Sequence, residues 1–155
     1  MRILVISDSH GSLRNIEKAI EAQPDAKHVI FLGDGEKDIE EASYIYDDRI
    51  FHIVKGNCDF FSDRNTSDTV TINGIKIYFT HGHFMRDVEK IVESARSVNA
   101  KIALYGHTHV AYTNYIDGVY LMNPGSITSP RDQFRGSYGV IDITDGGIIT
   151  FNVRM

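Results

Sequence analysis

The sequence predicts an α/β domain with a strong antiparallel component; two mixed sheets packed face to face with helices outside are the architecture expected, though the pattern itself reaches only the fold class. Three observations carry this. Short apolar runs rich in β-branched residues alternate with helical periodicity through the first third of the chain, the pattern of βαβ crossovers. From Thr69 onward, turn dipeptides separate paired apolar runs, as antiparallel hairpins require. The 155 residues, 42% of them hydrophobic, suit one domain spanning the whole chain (1–155) with a substantial core.

Arg2 to Ser7 is a nearly unbroken apolar run, so it reads as a strand buried on both faces, central and parallel. Ser12 is placed to cap a helix whose apolar positions Leu13, Ile16, Ala19 and Ile20 fall at helical spacing, and Pro24 ends it. His28 to Leu32 is a second strand, followed by a weaker helix between Lys37 and Tyr46, and Ile50 to Val54 is a third. After a polar stretch from Phe60 to Asp68, Thr69–Ile72 and Ile75–Thr80 flank Asn73-Gly74, a hairpin with a type I′ turn. An amphipathic helix follows, with Val88, Ile91, Val92, Ala95 and Val98 on its apolar face. Lys101 to Tyr105 is another buried strand. Val110–Ile116 and Val119–Met122 then pair across Asp117-Gly118, and Tyr138–Ile143 and Ile148–Val153 pair across Asp145-Gly146-Gly147.

Composition removes several classes of function. One Cys excludes a disulfide scaffold and any zinc site built on several thiolates. The apolar stretch Ile3–Ile6 is too short for an export signal and no run approaches a membrane span, so a cytoplasmic protein is expected and Asn65-Thr66-Ser67 is a chance glycosylation match. With 16 Lys plus Arg against 21 Asp plus Glu, a net charge of −5 argues against tracking nucleic-acid phosphates. No Walker-type loop or dinucleotide fingerprint occurs, which excludes a kinase or dehydrogenase of those kinds.

The polar residues fall at telling places. Asp8 and His10, Asp34, Asn57, His81, and His107 with His109 each follow an apolar strand, in a Gly-containing loop. Strand C-termini in α/β sheets are where loops converge on a rigid platform to bind ligands. Carboxylate, imidazole and amide oxygen without thiolate form a ligand set for Mn, Fe, Zn, Co or Ni. Seven such donors are too many for one tetrahedral ion, and suit two ions about 3.5–4 Å apart sharing a carboxylate.

Read in order, Asp8-Ser9-His10-Gly11, Gly33-Asp34, Gly56-Asn57-Cys58-Asp59, His81-Gly82-His83, Gly106-His107-Thr108-His109 and Asn123-Pro124-Gly125-Ser126 resemble the calcineurin-like metallophosphoesterases, within them the small YfcE-like phosphodiesterases. The resemblance implies a four-layer αββα sandwich and a dinuclear site. One metal would be held by Asp8, His10, Asp34 and His109, the other by Asp34, Asn57, His81 and His107, with Asp34 bridging through its two oxygens. It also implies metal-dependent hydrolysis of a small phosphoester by a hydroxide between the metals, with Asp34, Asn57 and His109 as catalytic residues. Two divalent ions are the expected cofactors, manganese first, with nickel, cobalt, zinc, iron or magnesium as alternatives. A homo-oligomer is open.

Many relatives carry His where this chain has Cys58, and that His is thought to protonate the leaving oxygen. Its absence predicts a slower enzyme or one favouring good leaving groups, since a positioned acid contributes typically about 10²–10⁴-fold. Cys58 reads as a small packed or metal-adjacent thiol rather than a nucleophile or a ligand. Asp59 is either a group orienting the phosphate or a loop cap. His83 is either support for a ligand or a solvated histidine. Arg131 is either a phosphate-binding guanidinium or a surface partner of Asp132, the latter preferred. Gly125 reads as a tight-turn residue, and His28 and His52 as structural. Phe60, Phe61 and Phe84 flank the site loops, where core packing or a subunit contact weighs more than a substrate pocket. Two further functions compete: an interaction scaffold like the retromer subunit of this fold, with residual metal binding, and a DNA-repair nuclease. The complete donor set argues against the first, the acidity and short chain against the second.

Overall fold

A computed structural model describes residues 1–85 and 87–155. The first half runs β1 (Arg2–Ile6), α1 (Leu13–Ala22), β2 (Ala26–Phe31), α2 (Glu36–Ile45), β3 (Ile50–Ile53), β4 (Ser67–Ile72) and β5 (Ile75–Thr80). The second runs α3 (Val88–Ser97), β6 (Ile102–Tyr105), β7 (Ala111–Ile116), β8 (Val119–Pro124), β9 (Ser137–Thr144) and β10 (Gly147–Arg154). Two five-stranded mixed sheets result, in the orders β10-β9-β1-β2-β3 and β4-β5-β6-β8-β7. β1 is central, as its unbroken apolar run required, pairing parallel with β2 and antiparallel with β9. The turns at Asn73-Gly74 and Asp117-Gly118 have positive φ at both residues (49° and 77°; 50° and 84°), which a type I′ turn demands.

Alternation along β1 sorts the layers. Ile3 and Val5 join Ile77, Phe79, Leu104 and Met122 in the core between the sheets. Leu4 and Ile6 face the other way, under Ile16, Ile20 and Ile39 of α1 and α2. On the far side, Ile91, Val92 and Ala95 of α3 cover Ala103 and Tyr105 of β6. Helices, sheet, sheet, helix is the four-layer sandwich that the resemblance implied.

One local expectation fails. Ser12 sits at the N-cap of α1, but its hydroxyl makes no capping bond. Residues 9–12 form a turn of their own, with the Ser12 N–H donating to the Ser9 carbonyl (3.1 Å). That leaves Ser12 at φ −112°, ψ 77°, away from the extended backbone from which a cap side chain reaches back.

Candidate metal centre

Five parallel strands, β1, β2 and β3 of one sheet and β5 and β6 of the other, end at the same edge of the sandwich and carry the donor loops there. The ladders continue into the loops. Asp8 N–H donates to the Gly33 carbonyl (3.0 Å), His10 N–H to Asp34 (3.1 Å) and Gly106 N–H to His81 (3.1 Å). Glycines set how closely the loops approach. A Cβ on Gly56 would run into the Asp34 carboxylate and backbone, which excludes any side chain there, and one on Gly106 would displace the Ser7 hydroxyl that bonds Asp8.

The donors are held in uncommon conformations. Among the described residues eight non-glycine residues have positive φ, and five of them are Asp8 (56°), His10 (45°), Asp34 (58°), His107 (66°) and His109 (59°). The other three are turn or helix-end residues Asn73, Asn99 and Asp117. Left-handed backbone at Asp and His costs on the order of 1–3 kcal/mol per residue and persists only where surrounding contacts enforce it, most often at functional sites.

All seven donors expected from the sequence come together. Asp8, Asp34, His81 and His109 are buried, while His10 and Asn57 are exposed towards solvent and His107 is half-buried. His109 Nε2 lies 3.1 Å from Asp8 Oδ1 and 3.3 Å from His10 Nε2. His10 Nε2 is 3.9 Å from both Asp8 Oδ1 and Asp34 Oδ2. On the other side, His81 Nε2 is 3.5 Å from Asp34 Oδ2 and 3.1 Å from Asn57 Oδ1, with the His107 ring 5.2 Å from the His81 ring between centroids. Asp34 Oδ1 accepts the Cys58 N–H (2.8 Å), so Oδ2 alone faces both groups of histidines, rather than one oxygen for each.

The tautomers follow from backbone partners. His81 Nδ1 is 2.7 Å from the Leu32 carbonyl and His109 Nδ1 is 2.7 Å from that of Ser129. A carbonyl only accepts, so each Nδ1 carries a proton and each Nε2 lone pair points into the site, the arrangement metal-binding histidines use. Asp8 Oδ2 accepts from the Ser7 hydroxyl (2.5 Å) and the His107 N–H (3.2 Å), whereas the enclosed Oδ1 receives no hydrogen bond. The His109 approach to it is short but poorly directed, and becomes an ionic contact only when the ring carries a second proton, on Nε2. Burial alone would raise the Asp8 carboxyl, but His109, His81 and Ser7 outweigh it and hold it below its usual value. Asp8 in turn raises His109. Burial and the neighbouring His81 lower His107. Three overlapping triads have donor atoms close enough to share a cation: Asp8, His10 and His109; His10, Asp34 and Cys58; and Asp8, Asp34 and His81.

The residues left open by sequence now separate. Asp59 is a clamp: its Oδ2 accepts the N–H groups of Asp34 and Gly56 (both 2.8 Å) and its Oδ1 those of Gly35 and Glu36 (both 3.0 Å). It thereby caps α2, whose own N-cap, Gly35, has no side chain to do so. His83 packs against the His81 and His107 rings (5.3 and 6.2 Å), kept below its usual pKa by burial first and by those rings second. Cys58 is exposed beside His10 and Asp34, so it is metal-adjacent rather than packed; partial burial and the adjacent Asp34 push its thiol up to about 11, so it keeps its proton at neutral pH. Asp132 pairs with Arg154 (2.6 Å), not with Arg131 as preferred from sequence; Arg131 is instead exposed, its N–H bonded to the His109 carbonyl (3.0 Å). Phe60, Phe61 and Phe84 are 82%, 98% and 77% exposed, which removes core packing as their role. His28 and His52 pair with each other (3.1 Å), away from the site.

Sequence reasoning included Asn123 and Ser126 in a motif but missed their role in holding the loops. Asn123, fully buried, donates to the Gly106 carbonyl and to Thr108 (both 3.0 Å). Ser126 donates to the Asp8 carbonyl (2.7 Å). The available signal was an amide inside the apolar run Val119–Pro124. Gly125 does turn tightly, with φ 74° and no room for a Cβ beside Ser137.

Comparison with known proteins agrees. The calcineurin-like phosphoesterase superfamily domain matches residues 1–146. The probable metallophosphoesterase YsnB of Bacillus subtilis is 32% identical over 158 residues, covering 97% of this chain and 90% of that one. Phosphodiesterase YfcE of Escherichia coli strain K12 is 27% identical over 176 residues, 98% of this chain and 93% of that one. The fold is shared more widely: Vps29 of Entamoeba histolytica, in a zinc complex, superposes with a TM-score of 0.76 at 23% identity over 99% of each chain. A family profile spanning residues 1–146, together with YsnB aligned over 90% of its own length, settles the kinship: the chain belongs to the calcineurin-like phosphoesterase superfamily.

Proposed function

We propose that the protein is a metal-dependent phosphodiesterase acting on a small phosphoester, with residues 1–155 as one cytoplasmic domain. Asp8, His10, Asp34 and His109 would hold one divalent cation and Asp34, Asn57, His81 and His107 a second, manganese being the first choice for both. The observation that carries this is the convergence of carboxylate oxygens and imidazole nitrogens on one space. Two buried carboxylates and two histidines with backbone-fixed tautomers aim at one space, and Asp8 Oδ1 is enclosed there without a hydrogen bond. Such a cluster repels itself unless positive charge sits within it.

When bound, a pair of divalent ions would supply hydroxide by lowering the pKa of a bound water, to about 7 in the case of zinc, and would neutralise charge on the phosphate oxygens. The chain's own groups do the rest. Asp34 Oδ2 serves both halves of the site while the Cys58 N–H fixes its other oxygen. Asn57 offers a neutral oxygen, leaving the second half more electrophilic than a further carboxylate would. Asp8 is aimed by Ser7 and by the His107 N–H. Cys58 holds its proton and stands where many relatives place a general acid, so leaving groups that need little help are favoured.

A scaffold with residual metal binding has the exposed Phe60, Phe61 and Phe84 in its favour. It does not call for seven donors on five loops, three of them holding their donors in left-handed backbone. The readings part on one experiment. Metal-stripped protein is re-supplied with Mn, Ni, Co, Zn or Mg and assayed on phosphodiester and phosphomonoester panels. We expect metal-restored diester hydrolysis that Asp34→Ala or Asn57→Ala abolishes; hydrolysis that survives chelation, or none with any metal, sinks the proposal.

A further inference from the structure

The donor cluster opens into a cleft of about 880 Å³. His10, Asp34 and Cys58 stand at its inner end, and its walls are the start of α2 and the loop through residues 58–64. Phe60 and Phe61 line it while remaining 82% and 98% exposed. Their loop is anchored on both sides. Asp59 binds four backbone N–H groups, its carbonyl accepts the Ser62 N–H (3.2 Å), and Lys55 Nζ donates to the Ser62 carbonyl (3.0 Å). Two rings are thus presented on a fixed support beside the reacting centre, at a hydrophobic cost that folding does not recover.

The charge of the walls is equally selective. Glu36, Asp38, Glu40 and Asp63 line the cleft against Lys37 and Arg64, and Arg64 is already engaged by Glu36 (2.6 Å) and Glu40 (3.0 Å). A single phosphate seated at the inner end would escape this field, because the divalent cations of the proposed function would lie there. A second anionic group further out along the cleft meets carboxylates within a Debye length of about 8–10 Å.

We infer that the cleft selects phosphodiesters whose ester group ends in an uncharged planar ring, stacked on Phe60 and Phe61, and rejects those bearing a second anion. This rests on the phosphodiesterase reading above and names its substrate class. In the reaction the hydroxide oxygen bonds to phosphorus and the phosphorus–oxygen bond to one ester group breaks. The departing oxygen takes a proton from solvent, and the product is a phosphomonoester.

The test is a ratio. The full chain, loaded with manganese, is assayed for kcat/KM on bis(p-nitrophenyl) phosphate and on methyl p-nitrophenyl phosphate, which share a leaving group but differ in the second ring. Phe60→Ala and Phe61→Ala are compared with the parent. Their side chains are exposed, so folding is checked simply by the melting temperature. Loss of one stacking partner predicts that the aryl-over-methyl ratio falls about tenfold, within the range for truncated stacking side chains. An aryl diester whose second ring bears a carboxylate is expected to show a KM several-fold higher at low salt, converging as salt is raised. If both diesters turn over but neither variant changes the ratio, or the carboxylate is accepted equally, the inference is overturned while the phosphodiesterase reading stands. If no diester turns over with any metal, the reading beneath it falls, and the inference with it.

Discussion

Removing the Asp59 carboxylate is the sharpest perturbation of the loop framework. Four backbone N–H groups, of Asp34, Gly35, Glu36 and Gly56, converge on its two oxygens at 2.8–3.0 Å. Hydrogen bonds to a charged group contribute about 1.5–3 kcal/mol each, but the loop borders the open cleft, where water replaces part of what is lost. A net cost of about 2–4 kcal/mol for Asp59→Ala follows. At roughly 2–4 °C per kcal/mol for a chain of this size, the melting temperature should fall by about 5–15 °C. Asp59→Asn is the informative control. It keeps one oxygen for one pair of donors and turns an NH2 against the other pair, so it should recover at most half of the loss.

The pH dependence is fixed by the same geometry. Burial pushes the Asp59 carboxyl up, yet the N–H groups of Glu36, Gly56, Gly35 and Asp34 together outweigh it and hold it below its usual value. A depressed folded-state pKa means that the ionised form stabilises the native protein. The gap between parent and Asp59→Ala should therefore be full above about pH 5 and close as pH falls through the folded value. Urea titration of metal-free protein measures this without reference to activity. A melting temperature within about 2 °C of the parent, or a gap that widens in acid, would refute the clamp.

Cys58→His restores an acid where the thiol now keeps its proton, so hydrolysis of diesters with poor alkyl leaving groups should rise at least tenfold while p-nitrophenyl esters change little; equal effects on both, in a leaving-group series, would count against a missing acid. Arg2 and Asp142 form a two-point contact (2.9 and 2.7 Å) at a partly exposed edge, so Arg2→Ala should cost only about 0.5–1 kcal/mol at neutral pH. Because Arg2 lowers the Asp142 pKa, that cost should disappear as pH drops through the folded value and shrink in high salt, both read by denaturant titration. At His10, with φ 45°, glycine relieves left-handed strain that alanine retains, so metal-free His10→Gly should be more stable than His10→Ala by about 1 kcal/mol; the reverse order of melting temperatures would mean that the backbone there is unstrained.

The parts of this molecule that were legible in its sequence are those that local pattern encodes. A short apolar run rich in β-branched residues, such as Ile3–Ile6, reads as a strand buried on both faces, and the charged Asp8 just beyond it then falls at the sheet edge. Repeating that logic at Asp34, Asn57, His81 and His107 brings the donors together without any knowledge of distances. What stayed hidden depends on contacts between distant segments. Nothing near Asp59 says that its carboxylate will collect amides from residues 34–36, or that Asp132 will choose Arg154 over its neighbour Arg131. The missing Ser12 cap has the same origin, since a preceding turn at residues 9–12 redirected a side chain whose local signal was correct. Phe60 and Phe61 misled for the opposite reason: aromatic residues usually signal a core, and here they line an opening.

The groups that impose the strained loop conformations are largely separate from the groups that would bind metal. Asp59, Asn123, Ser126 and Ser7 hold the loops through hydrogen bonds that need no cation. Left-handed backbone at Asp8, Asp34 and His109 is thus enforced by the fold itself, on rigid strand ends, before any ion arrives. A site arranged in this way gives up little conformational entropy on binding, and most of the cation's interaction energy can go into relieving the repulsion among Asp8, Asp34 and the Nε2 lone pairs. Metal at a thousandfold excess over its dissociation constant then adds about 4 kcal/mol to stability. Because the clamps and the donors occupy different side chains, damage to a clamp should weaken metal affinity and folding together, whereas loss of a donor such as His10 should remove affinity while leaving the apo fold intact.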